Sequence, residues 1–372
     1  MRSADSGGYF GTRQSPSVST RLFAGFGPYT DLMLDPNAQI LRINRFGIYF
    51  AVCCILRCAN AQPASGNNAI ETVSGALNFQ DIGKGAPPLF DVTSPPYGAL
   101  CNGTGDDSKA ISAASLTASK YYAKTGSQAT VLIPFGGNGQ CLITHAITYY
   151  SGTHFLGSGG TIVNNTSFAY SFANAHPGDG DDAIWFDHIH IVQTTSGSLP
   201  GIAYVGGEKA GSGESHHQFW VTDSDIKGSG YAVKVNIFYQ DDKIRHTLDN
   251  VVISRNHIWC DLVSGTYDTA CRDGININGD LTNFTIDSNV IEQRDDAAIA
   301  FTSSGGTSPS DHPGVQQFLT PTQGTVTNNV TTNVGAGLDF SGGNTIKAVN
   351  NSCTDSLPNP NSSPCVRFIH DF

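Results

Sequence analysis

Charge is scarce in this sequence, where only 14% of 372 residues are Asp, Glu, Lys or Arg. The shortage is sharpest for positive charge, with 20 Lys plus Arg against 31 Asp plus Glu. A chain with no basic footprint is poorly matched to a phosphate backbone, so nucleic acid is not an expected partner. Long apolar runs are missing too. The strongest candidate, Phe46 to Leu56, has 11 residues, short of the ~20 that cross a bilayer, and no stable membrane insertion is expected. Strong helix formers are thin, whereas glycine is abundant at 42 residues. That balance, with its many short apolar runs, points to an all-β architecture.

The apolar run near the N-terminus has a context. Arg42 and Arg45 precede it, and Arg57, Cys58, Ala59-Asn60-Ala61 and Gln62 follow. A basic flank, a short apolar core and a small-residue site read as a secretory signal peptide, so a secreted, extracellular or periplasmic product is expected. Met33 is the expected true start, with residues 1–32 a gene-model artefact. Residues 1–61 are thus an N-terminal extension and signal, 62–89 a Gly/Ala/Pro/Asn-rich linker, and 90–372 one folded domain. The processed chain keeps 14 basic and 28 acidic side chains. It also keeps six cysteines, an even number that favours disulfides in an exported protein. Cys101–Cys141, Cys260–Cys271 and Cys353–Cys365 are the simplest of the possible pairings. None has the C-x-x-C spacing of a zinc site, and no cofactor is expected.

The folded part opens with Phe90-Asp91-Val92. A helix follows over Lys109–Tyr122, with Asp106, Asp107 or Ser108 as cap, and then the strand Thr130-Val131-Leu132-Ile133 ended by Pro134. From about residue 141 a phrase recurs: Val221 to Ile226, Ile253 to Ile258, Ile286 to Ile291, Val326 to Thr331, and more weakly Ala348 to Cys353. In each, flanking apolar residues enclose a polar turn position filled by Ser224, Asn256, Asn289, Asn329 or Asn351. A second phrase follows the first at Ala232-Val233-Lys234-Val235, Gly274-Ile275-Asn276-Ile277, Ala298-Ile299-Ala300-Phe301 and Gly337-Leu338-Asp339-Phe340.

Recurrence of this kind is the mark of a solenoid with a coil of roughly 22 residues. Each strand then pairs in parallel with its counterpart one coil on, about 4.8 Å away. Val233, Val235, Ile275, Ile277, Ile299, Phe301, Leu338 and Phe340 should point inward, and Lys234, Asn276, Ala300 and Asp339 outward. The turn asparagines are expected to stack as a ladder and to accept left-handed backbone. A β-sandwich also has short strands and frequent turns, but lacks a reason for an in-register asparagine turn.

The best chemical constellation is acidic. Arg272-Asp273-Gly274-Ile275 opens one second-phrase strand, and Arg294-Asp295-Asp296-Ala297 the next. Stacking brings Asp273 beside Asp295 and Asp296. Clustered carboxylates raise one another's pKa and so divide into a proton donor and an ionised partner, as glycosidic hydrolysis requires. Arg272 and Arg294 can hold the other acids ionised or bind an acidic sugar, and Lys234, Asn276 and His312 are further candidates for substrate contact. The competing reading takes these as turn residues and exposed ion pairs. His216-His217 reads as solvated loop, since neighbours on a strand face opposite ways and cannot share a metal. His246, with Arg245 and Asp241-Asp242, stays open. Trp220, Tyr231, Tyr239, Trp259 and Tyr267 suit sugar stacking and stack filling equally well.

Two stretches resemble known families. Phe90-Asp91-Val92, Tyr97-Gly98-Ala99, Asn102 to Asp107 and Ala110-Ile111, followed by Val131 to Pro134, resemble the N-terminal cap of the pectin-lyase-like superfamily. The resemblance implies a single-stranded right-handed parallel β-helix with a short capping helix, and assigns Asp106-Asp107 to the cap. Cys271 to Ile275 and Arg294 to Ile299 resemble two successive motifs of glycoside hydrolase family 28, the polygalacturonases. Carried over, Asp273, Asp295 and Asp296 are the acid and base carboxylates of an inverting hydrolase. The family's third motif falls on Gly335-Ala336-Gly337, with alanine in place of histidine. One additional residue stands between Asp296 and Ile299, and Thr345-Ile346-Lys347 only faintly echoes the family's basic substrate-binding triplet.

The expectation is therefore a polysaccharide-degrading glycoside hydrolase acting on pectin or another acidic glycan. The alternatives are a polysaccharide lyase of the same fold, which would use a Lys or Arg base and often Ca²⁺, and a carbohydrate-binding β-helix without catalysis.

Overall fold

The computed structural model describes residues 87–134, 139–166, 170–177, 180–194, 199–206, 215–228, 230–237, 247–260, 271–279, 281–302, 321–354 and 365–368. The signal region, nearly all of the linker, and His246, His312, Tyr239 and Tyr267 lie outside them. No helix among the described residues is long and apolar enough to cross a membrane.

The described chain winds into a right-handed parallel β-helix. One wall is a nine-stranded sheet, and a fourteen-stranded sheet forms the other two. Paired strands run parallel, each joined to its counterpart in the neighbouring coil. A typical coil runs Thr247–Ser254 on the first wall, His257–Trp259 on the second and Ile275–Asn278 on the third. In the next coils the second and third walls are fused, because the long strands Val290–Thr302 and Val330–Phe340 run through the corner between them.

Inward positions of the second phrase are filled as the period of two requires. Val233, Val235, Ile275, Ile277, Ile299 and Phe301 have no exposed surface, and Leu338 has 4%. Phe340 is half-buried and packs against this core. Aromatics stack along the axis where successive coils repeat them, as in Phe155 on Phe186 and Phe301 on Phe340. These contacts make one continuous apolar core.

The polar ladder lies at the corner between the first and second walls. Asn256, Asn289 and Asn329 each donate two hydrogen bonds from the side-chain amide. One goes to a carbonyl of the preceding coil, and one to the side-chain oxygen of the next asparagine. That oxygen also accepts the backbone N–H of the coil before it. The left-handed backbone is one residue earlier than expected, at Asp223, Arg255, Ser288, Asn328 and Asn350. The turn residue itself must keep its amide pointed inward, so its predecessor takes the positive φ.

The N-terminal end is closed by helix Ser108–Thr125, whose Ile111, Ala114 and Ala118 are fully buried. Asp106 accepts the Ser108 backbone N–H and hydroxyl at its start. Asp107 accepts the N–H groups of Leu100 and Cys101, so both acids are spent in the cap. Disulfides Cys101–Cys141 and Cys260–Cys271 are present. The expected Cys353–Cys365 bridge is not: Cys365 Sγ instead lies 3.4 Å from the Cys353 carbonyl oxygen.

Candidate active site

Stacking places the acidic motifs on neighbouring coils at the corner between the second and third walls. Ile275 pairs with Ile299, which sets Asp273 beside Ala297. The Asp295 N–H donates to the Cys271 carbonyl, and the Gly274 N–H to the Ala297 carbonyl. The Cys260–Cys271 disulfide pins the strand entry two residues before Asp273. The extra residue of the second motif is a register shift between Arg294 and Ala297: Arg294 pairs with Val334, and Ala297 with Ala336. Three steps along one strand face two on the other, a β-bulge. Bulges re-aim side chains, and this one places Asp295 and Asp296 in different surroundings.

Asp273 is 5% exposed. Its Oδ1 accepts the Ala297 N–H at 3.1 Å and its Oδ2 the Asn276 side-chain amide at 2.7 Å. Burial, and then the nearby Asp296, push this carboxyl up to about 7. The two hydrogen bonds oppose the shift, because they favour the charged form. At neutral pH Asp273 is therefore poised between holding and releasing a proton.

Asp296 is half-buried, and its Oδ1 lies 2.7 Å from Arg367 Nη2. The same nitrogen bonds Asp339. Asp295 points away from the surface: it is 3% exposed and both its carboxylate oxygens are sealed from solvent. Arg294, expected as a substrate contact, is fully buried. Burial brings its guanidinium down to about 10 against the pull of Asp273 and Asp295, which hold it as an interior countercharge. Arg294 faces inward because it is paired with core residue Val334.

Other candidates sit where the period of two places them. Lys234, Asn276, Ala300, Asp339 and Arg367 form one cross-strand row. Lys234 Nζ lies 4.3 Å from the centre of the Tyr231 ring, and Arg272 Cζ 5.5 Å from it. Desolvation lowers the Lys234 ammonium and raises the Tyr231 hydroxyl. The family's histidine position is Ala336, buried with Ala297 and Ala300. Thr345-Ile346-Lys347 lies on the nine-stranded wall, not beside Asp273. The basic residue that pairs with Asp296 is Arg367, missed in the sequence although Val366-Arg367-Phe368 copies the pattern of Leu338-Asp339-Phe340.

Outside this corner, His216 and His217 lie on strand Ser215–Thr222 rather than in a loop. His216 is buried beside Asp182, and exposed His217 pairs with Asp249. Trp185 stacks on His154 and meets Trp220 edge-on, and Lys227 lies over Trp259, so these rings fill ladders along the outside of the coil. Two described groups bring three metal-type side chains together. Cys101, Asp107 and Cys141 are committed to a disulfide and the cap. In Asp187, His188 and Asp223, Arg255 already holds the Asp223 carboxylate.

The cap residues, the capping helix and the three parallel walls agree. The chain has the right-handed parallel β-helix fold. No protein-family model and no curated protein sequence matches it. Solved structures are similar to this coil at the level of fold. One is the N-terminal fragment of bacteriophage phi29 gene product 12, with TM-score 0.48 and 13% identity over 75% of this chain, which spans 43% of that one. Another is the Streptococcus pneumoniae surface protein and adhesin PfbA, with TM-score 0.36 and 13% identity over 76% of this chain and 100% of that one. A third is the catalytic unit of a GH87 α-1,3-glucanase from Streptomyces thermodiastaticus strain HF3-3, with TM-score 0.28 and 14% identity over 72% of this chain and 56% of that one.

Proposed function

We propose that this chain cleaves a polysaccharide as a glycoside hydrolase, with Asp273 as the proton donor and Asp296 as its partner carboxylate. The observation that carries this reading is the buried Asp273 carboxyl, raised to about 7 beside Asp296. Hydrolysis of a glycoside needs one carboxyl that still holds a proton near neutrality and one that activates water or attacks carbon. Asp273 delivers its proton to the departing glycosidic oxygen, and Asp296 takes a proton from the attacking water. Asp295, sealed inside with Arg294, balances charge beneath the pair in this reading. Lys234, Arg272 and Tyr231 flank Asp273 and suit a uronate or another anionic sugar.

The test is reducing-sugar release from a panel of plant and microbial polysaccharides. Asp296→Asn is expected to lower the rate at least ~100-fold while leaving the melting temperature close to that of the parent. Full activity in that variant would refute the assignment.

One observation favours a second reading. Desolvation loosens the Lys234 proton close to Asp273, which suits a lyase base. A lyase leaves a new double bond, so a near-ultraviolet absorbing product distinguishes it. Ca²⁺ in that case has Asp296 and Asp339 as nearby carboxylates, both already sharing Arg367. Glycan binding without depolymerisation would leave only a binding role.

A further inference from the structure

The last described strand, Val366–Phe368, pairs with Val330–Phe340 and sets Arg367 opposite Asp339. Asp339 is in turn opposite Ala300, on the strand that carries Asp296. Arg367 reaches back across the intervening coil to Asp296, so its guanidinium lies between two carboxylates from two other coils. All three side chains are largely covered, with exposures of 12% for Arg367, 19% for Asp296 and 7% for Asp339. A charge-assisted pair under that cover is both directional and little screened by salt.

The surroundings make this guanidinium consequential. Lys234 and Tyr231 face the Asp273 carboxyl from the preceding coil, and Arg272 from its own. Asp296 and the buried Arg294 with Asp295 face it from the next. Beyond Asp296, among the described residues, stand Asp339 and Arg367. Without Arg367, the Asp296 carboxylate that acts on Asp273 would lose the guanidinium 2.7 Å from its Oδ1. Asp296 lies within the bulge, where the register shifts between Arg294 and Ala297, so its direction is not set by the plain alternation of a strand.

We infer that Arg367 is a positioning residue for the acid pair: the last coil delivers a guanidinium that clamps Asp296 beside Asp273 and shields the negative charge Asp273 faces. Its catalytic consequence rests on the proposed hydrolase reading; its electrostatic consequence does not. Asp339 is the other half of the device, holding Arg367 in place and drawing part of its charge away from Asp296.

The experiment is a carboxyl-carbon NMR titration of Asp273 in the full chain, assigned by loss of the resonance in Asp273→Asn. In the parent, burial and Asp296 should place the midpoint at about 7. In Arg367→Met the midpoint should rise by about one unit, whereas in Asp296→Asn it should fall. Arg367→Lys keeps the charge and should return most of the shift. A role in stability alone would lower the melting temperature and leave the midpoint in place. An unmoved or lowered midpoint in folded Arg367→Met overturns the inference. If that variant does not fold, Asp339→Asn decides: freeing the guanidinium for Asp296 should lower the Asp273 midpoint, and no change overturns the inference. On any polysaccharide the parent cleaves, Arg367→Met should lower kcat at least ~10-fold with KM within about twofold, and Arg367→Lys should recover part of it. If no polysaccharide is cleaved, the hydrolase reading fails and the titration still judges the clamp.

Discussion

Two corners of the same coil bury polar groups in opposite ways. At the asparagine corner the groups are neutral, and each asparagine amide and oxygen is paired with the coils on either side. The arrangement repeats from Ser224 to Asn351 with little change. At the aspartate corner the groups are ionisable, crowded into neighbouring coils, and interrupted by a bulge. Arg294, Asp295 and Asp273 are buried there, and Asp273 is raised to about 7 because burial and Asp296 disfavour its charge. A repeated, satisfied ladder stabilises each coil it joins. A single buried cluster with a displaced pKa weakens the fold at its own position, and that local cost is what a reactive site brings. The contrast separates the part of the coil that holds the fold from the part that suits chemistry.

The largest expected difference is in pH response. Burial, and then Asp296, push the Asp273 carboxyl up to about 7 in the folded chain, against an ordinary value of 3.8. Between those values the folded chain binds more protons than the unfolded one, so stability falls as pH rises through that window. At about 1.4 kcal/mol for each unit, the loss is on the order of 4 kcal/mol by pH 8. Asp273→Asn should remove this slope and be the more stable protein above pH 7, as denaturant melts at pH 5 and pH 8 would show. An equal slope in both proteins would mean that Asp273 is not the strained group. The ladder corner offers the converse test. Asn289→Ala removes an oxygen that accepts two hydrogen bonds from Asn256 and an amide that serves Ile253 and Asn329. Leaving those buried groups unpaired should cost about 3 kcal/mol, with no change in the slope against pH.

This contrast bears on how much can be read from the chain alone. The ladder was legible because it repeats: an asparagine in the same frame, coil after coil, leaves a period in the sequence. The inward and outward alternation around Val233, Ile275, Ile299 and Leu338 was legible for the same reason. Juxtaposition of Asp273 with the Asp295-Asp296 pair followed from stacking. Their separation into a surface acid and a buried one did not, because a bulge changes which way a side chain faces and leaves only one surplus residue as its trace. Arg294 read as a groove residue for its charge, yet its partner in the next coil is Val334, an inward position. Arg367 was missed because its coil follows an interruption in the recurrence. His216 and His217 read as loop because glycine and glutamate surround them, while their strand is set by pairing with Thr247–Ser254.

A smaller effect probes the bulge itself. Gly335 lies under it, and a Cβ there would sit 2.5 Å from the Asp296 carbonyl oxygen and 2.7 Å from that of Asp295. Backbone atoms of a packed coil cannot yield as a side chain can, so Gly335→Ala should cost about 2 kcal/mol. It should also shift Asp296, so any cleavage activity should fall by more than the stability loss accounts for. A melting curve with unchanged activity would show that the bulge is not needed to aim Asp296.

The smallest effect is expected where a charge sits at the ladder corner. Arg255 and Asp223 form a bidentate pair, but Arg255 is 51% exposed and solvent screens the attraction. Arg255 also holds a left-handed backbone with φ of 56°, a conformation that asparagine accepts more readily. Later coils already place Asn328 and Asn350 at that position. Arg255→Asn therefore exchanges a weak ion pair for an easier turn, and thermal melts should place it within about 0.5 kcal/mol of the parent. A loss of several kcal/mol would mean that charge supports this corner too, and that the ladder is not self-sufficient. A near-neutral result, set against a large effect of Arg367→Met on the Asp273 midpoint, would show that an arginine–aspartate pair gains its influence from the burial around it.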